Sequence, residues 1–234
     1  MALSSTARHA IEAYGGVERW RSATAIEATG TLTGLLFRLK WRLPRPDMRI
    51  RCEVHRPWTR LEPIDRAGQV GILEGRDVRL ETRDGRTVAE RKDARARFPG
   101  GRRLLYWDAL DLTYFLGYAI WNYFTLPALL MREDILWSEL GEGVLASSFP
   151  PDLPTHGEQR HTFDPETGLL VRYDYVPEVF SKRARAANLV LERSAYAGVP
   201  YEARRRVLPV KELGGDPMPR PVMVEMRFRD WRLV

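Results

Sequence analysis

The sequence predicts an α+β fold: a strongly curved antiparallel β half-barrel of about 10–12 strands, with an N-terminal helix and a central helical insertion over the concave face. Three observations predict it. Segments of roughly five to ten residues recur between turn signals, many alternating apolar with polar side chains, as strands with one dry and one wet face do. A single uncharged run of twenty residues, Leu112 to Met131, divides them into two halves. The same alternation resumes beyond that run, so one sheet, and one domain over 1–234, accounts for the chain.

Taken in order, Ser4, Ser5 and Thr6 are candidate N-caps for a helix through Tyr14, with Gly15-Gly16 as its stop. Strands are expected at Ala25–Leu32, Leu36–Leu43, Met48–His55, Trp58–Ile64, Gln69–Glu74, Val78–Glu81 and Thr87–Arg91. In the second of these Phe37, Leu39 and Trp41 alternate with Arg38, Lys40 and Arg42. The insertion covers about 103–138, with Asn122 and Pro127 expected to interrupt its helix and a second short helix to run through about Trp137. Strands resume at Gly143–Ser148, Gly157–Phe163, Leu169–Val176, Ala187–Ala195, Glu202–Val210 and Val222–Leu233. Asp164-Pro165-Glu166-Thr167-Gly168 is a turn that makes RHTF and LLVRYDY one hairpin.

Composition narrows the function. Cys52 is the one cysteine, and the start MALSSTARHA lacks a basic region followed by an apolar one, so a cytoplasmic location is expected. The net charge of +6 invites a nucleic-acid reading, but 33 of the 37 basic residues are arginines scattered along strands and interleaved with acids, so no nucleic-acid partner is expected. The dense run Arg91 to Arg103 reads as a solvated loop, with an anion or membrane-surface patch as the alternative. The uncharged run has the length of a membrane span, yet Gly117, Asn122 and Pro127 sit in its middle and its aromatics are central rather than at two interfacial belts.

A twelve-stranded curl leaves an interior that its own side chains do not fill, and the insertion is the candidate plug. Eight of the chain's 24 aromatic residues lie between Tyr106 and Phe124. On a helix, Trp107, Asp111, Tyr114, Tyr118 and Trp121 form one stripe, while Leu105, Ala109, Leu112, Leu116, Ile120 and Tyr123 gather opposite. The aliphatic side is expected on the sheet and the aromatic side toward a pocket, with Asn122 beside it.

These residues carry a resemblance. The opening AIEAYGGVERWRSATAIEATGTLTG, a helix ending in Gly-Gly, a Trp and then a first strand, resembles the entry to the LolA and LppX lipoprotein-carrier superfamily. FLGYAIWNYFTLPALL with HTFDPETGLLVRYDYVPEV is similar to a group of uncharacterised bacterial proteins. The likeness implies a curved half-barrel with helices over an apolar concave face and a hydrophobic guest, an acyl chain in the carriers. The violacein-pathway enzyme VioE, with the same kind of sheet, implies the alternative of a pocket that steers a reactive aromatic intermediate.

For chemistry, alternation in LLVRYDY puts Arg172 and Asp174 on one face and Val171, Tyr173 and Tyr175 on the other. Facing inward, the pair is an anion clamp or acid/base set with His161 titrating near neutrality on the neighbouring strand; facing outward, it is an ordinary ion pair. Asp111, a carboxylate in an aromatic stripe, must be partnered, protonated or wet. Cys52, His55, His156 and His161 never reach the three or four ligands of a metal site, and no nucleotide-binding or nucleophile motif is present, so neither a metal nor a cofactor is expected. Binding of a hydrophobic small molecule, a lipid or aromatic metabolite, is the leading expectation. The alternatives are a cofactor-independent cyclase or isomerase using Asp111, His161 or Asp174, and a peripheral membrane protein. Oligomeric state is not legible.

Overall fold

The computed structural model describes residues 3–98 and 100–234. The first helix, α1 (Ser5–Ala13), is capped by the Ser4 hydroxyl, which accepts the Ala7 N–H at 3.2 Å. Gly15 and Gly16 follow with φ of 100° and 86°, the left-handed region that glycine enters at no steric cost. A short α2 (Val17–Ser22) comes next, a turn that the sequence reading does not contain. Its Trp20 is buried and donates its indole N–H to the Tyr14 carbonyl at 2.9 Å, folding α2 back against α1.

Among the described residues the strands form one antiparallel sheet of thirteen. The first half supplies β1 (Ala25–Thr33), β2 (Met48–Glu53), β3 (Trp58–Glu62), β4 (Val70–Glu74), β5 (Asp77–Glu81) and β6 (Thr87–Arg91). The second supplies β7 (Leu136–Gly141), β8 (Val144–Ser148), β9 (Gln159–Phe163), β10 (Leu170–Tyr175), β11 (Ala186–Tyr196), β12 (Val199–Pro209) and β13 (Val224–Leu233). Each half is a meander, and the first and last strands, β1 and β13, pair at the centre, so that β6 and β7 become the two outer edges. The chain leaving β6 must therefore cross the full width of the sheet to reach β7.

Two helices make most of that crossing: α4 (Ala109–Phe124) and the single turn α5 (Leu126–Leu129), with α3 (Leu35–Leu39) following β1 earlier in the chain. All sixteen residues of α4 are buried. Its flank on β3 and β4 is so close that a Cβ at Gly117 would stand 2.7 Å from Leu73 Cβ, and Thr59 Oγ1 donates to the Gly117 carbonyl at 3.1 Å. The same helix sets Tyr123 5.8 Å from Tyr173 on β10 and Phe124 4.8 Å from Phe228 on β13. A flat sheet cannot touch one helix from both wings; this one curls around α4 and stays open, with no ladder joining β6 to β7. The curved half-barrel with a helical insertion is thus the observed architecture.

Three local expectations are overturned. Residues Leu36–Leu43 form no strand: Gly30 already pairs with Met48, so the chain beyond it has no partner on β2, stays paired with β13 as far as Thr33 and then coils into α3. There Leu36 and Phe37 are buried while Leu39 and Trp41 are exposed. Asn122 does not interrupt α4, because its Nδ2 donates to Tyr118 O at 2.7 Å and to Pro154 O at 3.0 Å, which fastens the Phe149–Pro154 loop to the helix instead. The second helix stops at Leu129, and Trp137 belongs to the edge strand β7, paired with Ser147 on β8. No helix among the described residues is long and apolar enough to cross a membrane.

Candidate ligand cavity

The start of α4 is an arginine cage. Asp108 and Asp111 cap the helix reciprocally: Asp111 N–H donates to Asp108 Oδ1 at 2.8 Å, and Asp108 N–H to Asp111 Oδ2 at 3.1 Å. Arg91 and Arg103 reach Asp111 Oδ1 at 2.6 and 2.7 Å, and Arg102 reaches Oδ2 at 3.1 Å. Burial raises the Asp108 pKa, but the Arg91 hydrogen bond and the Asp111 N–H outweigh it and hold the carboxyl well below the usual range. Asp111 is fully buried with both oxygens taken, and three arginines of the basic run are turned inward to it.

Arg172 and Asp174 form a bidentate pair at 2.7 and 2.6 Å, and Arg172 also donates to Gly215 O at 2.6 Å. They lie on the convex face, the side away from α4, and the loop around Gly215 buries Asp174 completely. The outward alternative, an ion pair, is therefore the one observed, with Asp174 buried and Arg172 partly so.

His161 pairs across the ladder with Tyr173, not with Asp174, and so faces the concave side. Its ring stacks on Tyr173 at 4.4 Å and meets Trp137 at 5.2 Å. Burial, and then the charge of Arg205, push its pKa down to about 3, so it is neutral near pH 7 and does not titrate there. The three candidates for proton transfer stand in three separate places.

The aromatic stripe of α4 does not open onto a pocket either. Trp107 packs between Phe115 at 5.1 Å and Phe180 at 5.2 Å; Tyr114 lies 5.8 Å from Phe98 and 5.2 Å from Tyr118. Trp121 donates to Glu53 O at 3.0 Å, and the Tyr118 hydroxyl meets His156 Nδ1 at 3.3 Å. Groups from both halves of the chain, Glu53 and Phe98 from the first and His156 and Phe180 from the second, therefore pack on this one stripe.

A cavity of about 190 Å³ exists one step around the helix. Phe115 of α4, Leu36 of α3 and Phe180 form one side; Tyr175 of β10, Ala186 of β11 and Val207 of β12 form the other, with Met223 and Arg185 toward its ends. Strand alternation explains the second set, since Tyr175 opposes Ala186 and all three project to the concave face. Next to them on that face is Asn188, the Cα partner of Val207, fully buried. Burial raises the pKa of the neighbouring Tyr123, which Tyr175, Arg205 and Asn188 only partly offset, and neither amide atom of Asn188 completes a hydrogen bond. The Tyr123 and Tyr175 hydroxyls meet at 3.1 Å beside it, and Arg205 lies 4.9 Å over the Tyr123 ring.

None of the nine residues selected from the sequence is among those lining this cavity. Phe115 was visible as an aromatic but fell between the two helical faces. Leu36 lies in a stretch that alternates as a strand would, and Phe180, Ala186, Val207 and Met223 carry no local mark. Among the described residues no cluster of three His, Cys, Asp or Glu side chains is placed to hold a metal.

An open antiparallel half-barrel wrapped on one buried helix, with an apolar cavity between helix and sheet, is the class that these observations define. It is the LolA-like fold. The chain superposes on a LolA superfamily protein from Nitrosomonas europaea with a TM-score of 0.55 at 8% identity, covering 100% of this chain and 94% of that one. A DUF1329 family protein from Desulfovibrio piger also matches, with a TM-score of 0.44 at 10% identity over 98% of this chain and 92% of that one. So does the lipoprotein LppX of Mycobacterium tuberculosis, with a TM-score of 0.33 at 8% identity over 97% and 96%. No protein-family model and no curated protein sequence matches the chain.

Proposed function

We propose that this protein binds a hydrophobic small molecule in the cavity between α4 and β10–β12. The observation that carries the reading is the wall itself: Leu36, Phe115, Phe180, Ala186, Val207 and Met223 line a half-open space of about 190 Å³ on the concave face with hardly a polar atom among them. An apolar cavity of about 150 Å³ stays dry and takes up benzene, so this one suits a compact guest such as a one- or two-ring aromatic or a short alkyl chain. The fold it shares with a LolA superfamily protein supports the same reading. A whole diacyl lipid is far larger than the space.

Titration with naphthalene, followed by calorimetry, tests it. Saturable one-site binding is expected for the wild type. Ala186→Phe, which fills the space from β11, is expected to abolish that binding while the cooperative melt survives. Absent binding in the wild type, or undiminished binding in a folded Ala186→Phe variant, overturns the proposal.

A further inference from the structure

Six of the large apolar side chains that the fold leaves exposed come from two loops that touch each other. Leu39 (54% exposed) ends α3 and Trp41 (79%) and Leu43 (58%) follow it; Leu104 (56%), Leu105 (74%) and Tyr106 (41%) precede α4. Single exposed apolar residues are ordinary, but a contiguous set is not. The two loops are fastened into one surface: Trp107 N–H donates to Lys40 O at 3.0 Å, and Lys40 Nζ to Arg103 O at 2.9 Å and Leu104 O at 2.5 Å. Arg42 completes the joint by donating to Trp107 O at 3.0 Å and to the Tyr106 hydroxyl at 2.7 Å. Trp41 takes a left-handed φ of 53°, an uncommon backbone state for a bulky residue, and presents its ring outward.

We infer that this two-loop tip docks on an anionic lipid bilayer. Its chemistry fits that occupant and no other as well. Trp, Tyr and Leu side chains share these two loops with Arg38, Arg42 and Arg45, while Arg102 is paired with Asp108 and Asp111. The nearest carboxylates do not cancel those three charges, since Asp108 and Asp111 are turned inward to the arginine cage and Asp47 is bonded to Arg229 at 2.9 Å. Amphipathic aromatics settle at the headgroup level and arginines seek anionic lipid, so the two kinds of side chain act on the same target. Only the start of the insertion takes part, since its helix α4 is buried throughout.

The tip adjoins the cavity wall through α3. In the five-residue α3, Leu36 faces the cavity while Leu39, three residues on, belongs to the exposed tip. Docking would place the cavity beside the bilayer, the phase in which an apolar guest is concentrated. The inference nevertheless stands apart from the cavity reading, because the tip is defined by exposed residues that do not line the cavity.

Flotation of the full chain with vesicles of phosphatidylcholine, with and without phosphatidylglycerol, is the test. The wild type is expected to float with the mixed vesicles at low salt, less at high salt, and weakly with phosphatidylcholine alone. Trp41→Ser combined with Leu105→Ser removes the two most exposed side chains, and at least a tenfold loss of vesicle affinity is expected with the melting temperature unchanged. Brominated lipid should quench tryptophan fluorescence in the wild type and not in Trp41→Ser. Failure to float with anionic vesicles at low salt overturns the inference, as does flotation that the double variant leaves intact. A concentration-dependent dimer in light scattering that the double variant abolishes would assign the tip to a second copy of the chain, and would overturn it too. Naphthalene binding is measured separately, so loss of one result does not entail loss of the other.

Discussion

Asp111→Asn separates a structural carboxylate from a chemical one. The substitution keeps the size of the side chain and an oxygen able to accept the Asp108 N–H, but removes the charge that Arg91, Arg103 and Arg102 surround at 2.6, 2.7 and 3.1 Å. Breaking a buried ion pair from one side costs about 3–5 kcal/mol, because the partners are left uncompensated. Here the carboxylate is fully buried, whereas Arg102 is 42% exposed and can turn to water, so the low end, about 3 kcal/mol, applies. For a chain of this size that is a fall in melting temperature of about 6–12 °C. Asp111→Ala also loses the capping acceptor and should cost about 1 kcal/mol more. Differential scanning calorimetry at neutral pH reads both. If Asp111→Asn melts within about 2 °C of the wild type, the cage contributes little and the argument from burial and pairing is wrong.

Other outcomes follow from the same geometry. His161, held down to about pH 3 when folded, takes up a proton at about pH 6.5 once unfolded, and His156 is depressed in the same direction by burial and then Arg95. Stability should therefore be full above about pH 6.5 and fall toward pH 3, by about 1.4 kcal/mol per pH unit from His161, with His156 acting in the same direction. His161→Phe, which can keep the stack on Tyr173, should flatten that slope in urea titrations at stepped pH; an unchanged slope refutes the assignment. Gly117→Ala adds a Cβ 2.7 Å from Leu73 Cβ, and overpacking of about 1–3 kcal/mol outweighs the roughly 1 kcal/mol gained in helix propensity. A lowered urea midpoint is expected, and a raised one would mean that α4 can move off β4.

What the sequence by itself determined is whatever depends on neighbours along the chain. Alternation in Met48–Glu53 and in the RHTF and LLVRYDY segments fixed strands and the Asp164–Gly168 turn, because a pleat has a period of two wherever it lies. The uncharged run gave a helix laid over the concave face, since α4 has few groups that water could solvate cheaply, but it left the aromatic side facing a pocket where the structure packs it. Tertiary structure decided the rest, through partners distant in sequence. Phe37, Leu39 and Trp41 alternate as a strand would, but β2 offers no partner beyond Met48 and pairing with β13 ends at Thr33, so α3 forms and splits them between core and tip. Arg172 and Asp174 share a face by alternation alone, but only the loop at Gly215 decides that this face is both convex and dry. The cavity lies where it does because a sheet whose two edges are joined by one crossing helix must wrap that helix on both sides. That leaves space at Phe115, where α3, α4 and β10–β12 fail to fill the curl, rather than along the stripe that the helical wheel marks.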